Sequence, residues 1–387
     1  MYVKRELENK VRTLLDHFPA IAVLGPRQVG KTTLGKKIRK ELLRESIYLD
    51  LENPVDAGAL DHPTEFLRAV AEKTVFIDEI QRKPDLFPVL RSVIDESPSP
   101  GRFILLGSAS PQLLFLSNET IAGRIVYLEL HPFQPSEICQ LKDFRDHWLR
   151  GGFPSPFLQE HPDIRREWFK SFVLAYTERD LRLLGLSLAP EVLTRLLQML
   201  VTMQGGLLNS SALANSLGVT APTVNTALSF LERSFMIRLL KPWHSNIGKR
   251  LVKSPKVYVR DSGIINYLLG LGTYQEMLRN PLVGQLWEGF VIENIINTLG
   301  ADYQYFFYRT ADGAECDLVI IGGGVCLATV ETKFAPRITR TKSMFITQQD
   351  LKPKQAFVIV PECQASYLIG DNLFVATIEQ FFRTFSQ

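Results

Sequence analysis

Two stretches of this chain carry residue types that could do chemistry. The first, GPRQVGKTT at residues 25–33, fits the spacing G-x-x-x-x-G-K-[ST]. Gly25 and Gly30 let the backbone bend so that successive N–H groups face an anion. The run LGKKIRKELL that follows reads as a helix, whose positive end would face the same anion. Gly25, Pro26, Arg27, Gln28, Val29, Gly30, Lys31, Thr32 and Thr33 are therefore the expected binding loop for ATP or ADP. Lys31 would reach the β- and γ-phosphates and Thr32 would ligate Mg2+. The second stretch, DLVIIGGGVCLATVETK at residues 317–333, is an acid, two apolar runs around a glycine turn, then an acid and a lysine two apart.

A further acidic element supports the phosphate loop. TVFIDEIQ ends an apolar run with Asp78 and Glu79. Asp78 would hold Mg2+ directly or through water, and Glu79 would orient and polarise an attacking water. Paired acids favour hydrolysis over a small-molecule kinase, which needs an acceptor-binding lid absent from the sequence pattern. Ser108, after FILLG, is placed to touch the γ-phosphate or the water. Arg124 in AGRIVYLEL and Arg179 in YTERD are candidates for stabilising transition-state charge, a role worth roughly 10³–10⁵ in rate. Each has an alternative as a structural ion-pair partner.

These groups need elements to position them. Short apolar runs at IAVLG, SIYLDLE, TVFIDE and RFILLGS alternate with helical patterns, as in a parallel sheet buried on both faces. GGFPSPF marks a Gly/Pro break. A helical pattern, EWFKSFVLAYTERDLRLL, follows it. Beyond residue 188 the order is helix, glycine-containing turn, helix, strand, that of a winged helix-turn-helix. Ser211 and Thr220 are the expected helix caps, with Pro222 in a first turn. At 387 residues, 45% hydrophobic and 22% charged, the chain is long enough for two or three domains. No apolar run approaches the ~18 residues of a membrane span, and the first residues show no signal-peptide pattern. Four scattered cysteines, with no CxxC pair, argue against a cysteine zinc site and for a reducing compartment. The expectation is a cytoplasmic protein without membrane contact.

GPRQVGKTTL, VFIDEIQ, LLGSAS, AGRIVYLEL, GGFP, YTERD, LVKSPKVYVRDSG and YRTADGAECDLVI together resemble a prokaryotic family of AAA-type P-loop ATPases. The likeness covers nearly the whole chain. It implies an ASCE-type ATPase core, a winged-helix middle and a C-terminal fold similar to the PD-(D/E)xK nucleases. The expected fold is thus an α/β P-loop NTPase with a parallel sheet, then a winged helix-turn-helix and an α+β restriction-endonuclease-like domain. The expected limits are 1–150 for the ATPase domain, 151–187 for a helical connector, 188–262 for the winged helix and 263–387 for the nuclease-like domain. One departure is Thr332, where an apolar residue is expected between Glu331 and Lys333.

If residues 322–324 form the turn of the second stretch, Ile321 pairs with Val325 and Asp317 with Thr329. Strand alternation then puts Asp317, Glu331 and Lys333 on one face, with Glu331 diagonal to Asp317. The two acids could meet at one Mg2+, beside a lysine that orients an attacking hydroxide. Glu288, preferred to Glu293, would add a ligand from a preceding helix. The middle segment is basic, with nine Lys/Arg against two Asp/Glu from Leu188 to Arg260, in a chain of net charge +3. The basic residues of 238–260 would track a DNA backbone, and the second helix would show Thr223, Asn225, Thr226 and Ser229. The reading is Mg2+-dependent ATP hydrolysis coupled to DNA binding or processing, in repair, recombination or defence. The alternative is an ATP-dependent switch or scaffold for a protein partner, with a silent nuclease fold. A homo-oligomer would let a neighbour supply an arginine. Replacing Lys31 by Ala is expected to abolish ATP turnover in a phosphate-release assay; unchanged turnover would overturn the assignment of the loop.

Overall fold

The computed structural model describes residues 2–110, 123–243, 251–335 and 337–385. Its N-terminal unit is a five-stranded sheet of β1 (Ala20–Leu24), β2 (Ser46–Asp50), β3 (Thr74–Asp78), β4 (Phe103–Gly107) and β5 (Ile125–Glu129). The order is β2-β3-β4-β1-β5 and every pairing is parallel. β1, β3 and β4 are buried along their full length, which accounts for their unbroken apolar runs. Because the strands are parallel, the segments after β1, β3 and β4 emerge at one edge of the sheet. That edge gathers the loop 25–30, Asp78 with Glu79, and Ser108.

The middle unit holds the helices Pro190–Thr202, Ser210–Leu217 and Ala221–Arg233, then an antiparallel ribbon of β6 (Ile237–Leu240) and β7 (Lys256–Val259). Thr220 caps the third helix as expected, accepting from the Thr223 amide. The second helix is capped by Asn209, which accepts from the Ala212 amide, and not by Ser211. Both side chains suit the role; the chain turns two residues earlier than the pattern suggested. The C-terminal unit has a 17-residue helix, Val283–Leu299, against a mixed sheet. Its strands are β8 (Gln304–Arg309), β9 (Glu315–Gly322), β10 (Val325–Thr332), β11 (Gln355–Ile359), β12 (Tyr367–Gly370) and β13 (Leu373–Ala376), in the order β12-β13-β11-β10-β9-β8.

The three units are fused by packing. One apolar core runs from Val11 beside β1 through Leu197 of the middle unit to Phe381 near the end. Trp148, Trp287, Phe290 and Phe334 pack within it in tilted and edge-to-face pairs, with ring centroids 5.3–6.1 Å apart. The GGFP and RDSG stretches meet there. Asp261 accepts from the Gly152 amide at 2.8 Å, and a Cβ on Gly151 would lie 2.3 Å from the same carboxylate. Polar groups cross the junction as well. Arg260, after β7, pairs with Glu129 of β5 at 2.7 Å and with Glu293 of the long helix at 3.0 Å. Arg238 completes the group on Glu293. Among the described residues no helix is long and apolar enough to cross a membrane.

Removing the central cation of this group would leave Glu293 to Arg238 alone and Glu129 to His131 alone, and would break the link between them. Arg260→Met is expected to destabilise the chain by about 3–5 kcal/mol, read as a lowered urea midpoint. A midpoint within error of wild type would show that the junction does not hold the units together.

Candidate functional site

The phosphate loop is built by steric necessity. A Cβ on Gly25 would sit 2.3 Å from the Leu130 carbonyl oxygen, so the loop can pass β5 only with glycine there. Gly30 has φ 101° and opens the helix Lys31–Glu41 without any side-chain cap. The first N–H groups of that helix have no intrahelical partner and face the loop. Lys31 is buried, and its Nζ donates to the carbonyl oxygens of Gly25 at 3.0 Å and Pro26 at 2.8 Å. Burial pulls its pKa down to about 8, against the opposing pull of Glu79 and Asp78. The ammonium is thus weakly served by neutral oxygens and suited to an anion.

The end of β3 lies beside it. Asp78 accepts from the Thr32 hydroxyl at 2.7 Å, from the Tyr48 hydroxyl, and from the Glu79 amide at 3.0 Å. Thr32 and Asp78 therefore present a hydroxyl and a carboxylate side by side, a donor pair that fits Mg2+. Glu79 has φ 56° and ψ 42°, a left-handed conformation that costs free energy at a residue bearing a side chain. Its carboxylate accepts from Gln81, whose other amide atom accepts from the Ser108 amide at 3.1 Å. Gln81 joins the ends of β3 and β4. Sequence reasoning missed it, although it stands two residues after Glu79.

The arginines fall differently from expectation. Arg124 precedes β5, whose Ile125 pairs with Ala20 at the start of β1. The phosphate loop leaves the other end, about five residues or ~16 Å away. Arg124 instead pairs with Asp95, so it does not reach its own chain's loop. The expectation for it is corrected on that ground. Arg179 lies in a π-helical turn, Tyr176–Asp180, at 3.5 Å from Glu52 and 3.6 Å from Asp180. The loop's own Arg27 joins the same two carboxylates, Glu52 at 3.0 Å and Asp180 more closely. This Arg27–Asp180 pair links the phosphate loop to the connector, and no local spacing announces it.

In the C-terminal unit the hairpin differs from the expected register. Gly322 pairs with Val325, so the turn is Gly323-Gly324 with positive φ at both. A bulge at Leu327 shifts the pairing again, giving Leu318 opposite Val330. Asp317 therefore comes opposite Glu331, not Thr329. Each change alone would have reversed the side-chain faces; together they restore the parity. Lys333 lies 3.0 Å from Glu331. Burial, then the charge of Asp317, pushes Glu331 up to about 8. Thr332, the departure from the apolar pattern, donates its amide and its hydroxyl to Asp317, both at 2.9 Å.

Glu288 joins this cluster, and Glu293 does not, being engaged by Arg238 and Arg260. Lys256 of β7 stands among the acids, at 2.7 Å from Glu315, 3.0 Å from Glu288 and 3.4 Å from Asp317. Tyr258 donates to Glu288 at 2.6 Å. Burial, with Asp317 next, raises Glu288 to about 7. Among the described residues no group of three or more His, Cys, Asp or Glu is arranged to hold a metal ion. Of the expected set, Asp317 and Glu288 come together around the Lys256 ammonium while Glu331 pairs with Lys333, and Glu315, which sequence reasoning passed over, belongs with the first two. The basic run 238–260 is corrected too. Arg238, Lys256 and Arg260 face inward onto carboxylates, Lys241 and Lys253 are exposed, and Lys249 and Arg250 lie outside the described residues. On the third helix of the middle unit, Asn225 and Thr226 are exposed, while Thr223 serves the cap.

Comparison with known proteins agrees with this geometry at the N-terminal end. A family model described as an AAA domain matches residues 17–139, and two described as domains of unknown function, DUF8612 and DUF4143, match 141–275 and 283–381. Two solved structures overlap loosely. They are a Walker-type ATPase of Pyrococcus abyssi (TM-score 0.49, 16% identity, 69% of this chain and 96% of that one) and a RuvB variant of Thermotoga maritima (0.33, 20%, 62% and 90%). The uncharacterized proteins Rv2008c of Mycobacterium tuberculosis and Mb2031c of Mycobacterium bovis are each 35% identical over 382 residues, 98% of this chain and 85% of theirs. By that identity along almost its full length, the chain belongs to the family of these two mycobacterial proteins, and within it joins an AAA-type P-loop domain to the two domains of unknown function.

Proposed function

We propose that this chain hydrolyses ATP with Mg2+ and passes its nucleotide state to a DNA-contacting middle domain and a nuclease-like C-terminal domain. The observation that carries the reading is the pairing of Thr32 with Asp78 at 2.7 Å, beside buried Lys31 and next to Glu79. Thr32 and Asp78 would hold the magnesium, which when bound neutralises charge on the β- and γ-oxygens. The amides of the loop 25–33 bind the phosphates, and Lys31 exchanges two carbonyl contacts for phosphate oxygens. Glu79 accepts a hydrogen bond from the attacking water and is itself held in place through Gln81, and Ser108 lies beside the same edge.

Two links support transmission. Arg27 of the phosphate loop is tied to Asp180 of the connector, and Arg260 ties β5 to the long C-terminal helix. The DNA part of the reading rests on the helix order of the middle unit, a winged helix-turn-helix in our reading, with exposed Asn225 and Thr226 on its second helix and with Lys241 and Lys253. Its basic surface is smaller than the sequence implied. A second reading, an ATP-dependent switch or scaffold for a protein partner, is favoured by Lys256, whose ammonium fills the middle of the nuclease-like cluster.

Two measurements test these statements. Glu79→Gln is expected to keep ATP binding while lowering turnover by about 10²–10⁴; equal turnover would remove Glu79 from the water's activation. ATPase rate with duplex, single-stranded and branched DNA is expected to rise in the first reading. A rate indifferent to all three, with no DNA retained at ~50 mM salt where phosphate contacts are favoured, selects the protein-partner reading.

A further inference from the structure

The carboxylates of the C-terminal unit and the cation among them come from different units. Glu288 lies on the long helix and Glu315 and Asp317 on β9, whereas Lys256 belongs to the middle ribbon. The backbone around Lys256 is held on two sides. Leu240 pairs with it across the ribbon and Leu207 bridges it on the other side. The next residue, Val257, accepts from the Gly205 amide at 2.9 Å and donates to the Gly206 carbonyl at 3.1 Å. A Cβ on Gly205 would fall 2.8 Å from the Glu288 carboxylate, so that acid is confined against the same backbone. Lys256 is 2% exposed and its ammonium also lies 5.7 Å from the centre of the Phe307 ring.

A magnesium ion on Glu288 and Asp317 would need oxygen contacts of ~2.0–2.1 Å. The Lys256 Nζ already stands 3.0 Å from one of those carboxylates and 3.4 Å from the other. Both cations would share one small enclosed space, and a buried pair of like charges is strongly disfavoured. The residues present therefore suit one ammonium better than a metal.

We propose that Lys256 is a built-in counter-cation: it takes the place of a divalent metal among Glu288, Glu315 and Asp317, and clasps the middle ribbon to the C-terminal unit. While the ribbon is docked, the cluster takes up no Mg2+ or Mn2+. The inference does not rest on ATP hydrolysis, and its test uses nucleotide-free full-length protein.

Mn2+ is titrated into wild type, Lys256→Ala and Lys256→Met, and bound ion is followed by loss of the free-ion electron paramagnetic resonance signal. All carry Asp78→Asn, so that the phosphate-loop pair does not contribute, and the reference, called wild type at position 256, has that change alone. Wild type is expected to show no site that depends on Asp317. Lys256→Ala is expected to bind Mn2+ at least tenfold more tightly than wild type, and to lose that gain when Asp317→Asn is added. Lys256→Met keeps the aliphatic stem should the Ala variant fail to fold, and is expected to behave alike. Mn2+ binding by wild type that Asp317→Asn abolishes would overturn the proposal, because metal and lysine would then coexist. So would folded Lys256 variants that bind no more Mn2+ than wild type, because the acids would then not be shaped for a cation.

Discussion

A cation taken out of water persists only where oxygens surround it, and three such cations organise this molecule. Lys31 is enclosed by two loop carbonyls, Arg260 by carboxylates from the N-terminal and C-terminal units, and Lys256 by carboxylates of the C-terminal unit. They differ in how well they are compensated. Lys31 has neutral oxygens only in direct contact and its pKa falls. Arg260 and Lys256 have full negative charges in contact, which outweigh burial and hold both pKa values above their ordinary ranges. The first has no counter-charge in contact, and the other two are paired.

That difference separates site from scaffold. The parallel sheet delivers the phosphate loop, Asp78 and Ser108 to one edge because strands of one direction end together. Around that edge the side chains of Lys31, Asp78 and Glu79 are held by hydrogen bonds to uncharged groups. At the junctions the same residue types are locked. Glu129 sits opposite Leu24, the last residue before the phosphate loop, so the Arg260 group begins one strand away from the nucleotide edge. Arg27 and Asp180 make a second connection, through a π-helical turn of the sort that often interrupts helices where function requires a local distortion.

Much of the N-terminal unit was legible in the order of its residues. Gly25 to Thr33 are contiguous, and a nest of amides followed by a helix is a local structure that nine residues can specify. Asp78 and Glu79 were legible because acids that close a fully apolar strand must emerge where the sheet ends, within reach of a cation or water. Arg124 was not, since its distance from the loop depends on which end of β5 it occupies and on what lies beside that strand. The hairpin was half legible. Its faces came out right because a two-residue turn and a bulge, neither of them foreseen, displaced the register in the same sense. The basic run 238–260 misled because net charge counts residues and ignores their partners, and Arg238, Lys256 and Arg260 had partners 32 to 131 positions away.

The amino-acid sequence alone determined the phosphate loop, the alternating strand pattern around it and the order of helices in the middle. These follow from spacing, glycine placement and apolar periodicity, all of which act over a few residues. Tertiary structure alone decided that Arg27 meets Asp180, that Arg260 spans two units and that Lys256 stands among acids of another unit. Such contacts join residues remote in the chain, and a charge carries no mark in its own neighbourhood of the opposite charge that will enclose it.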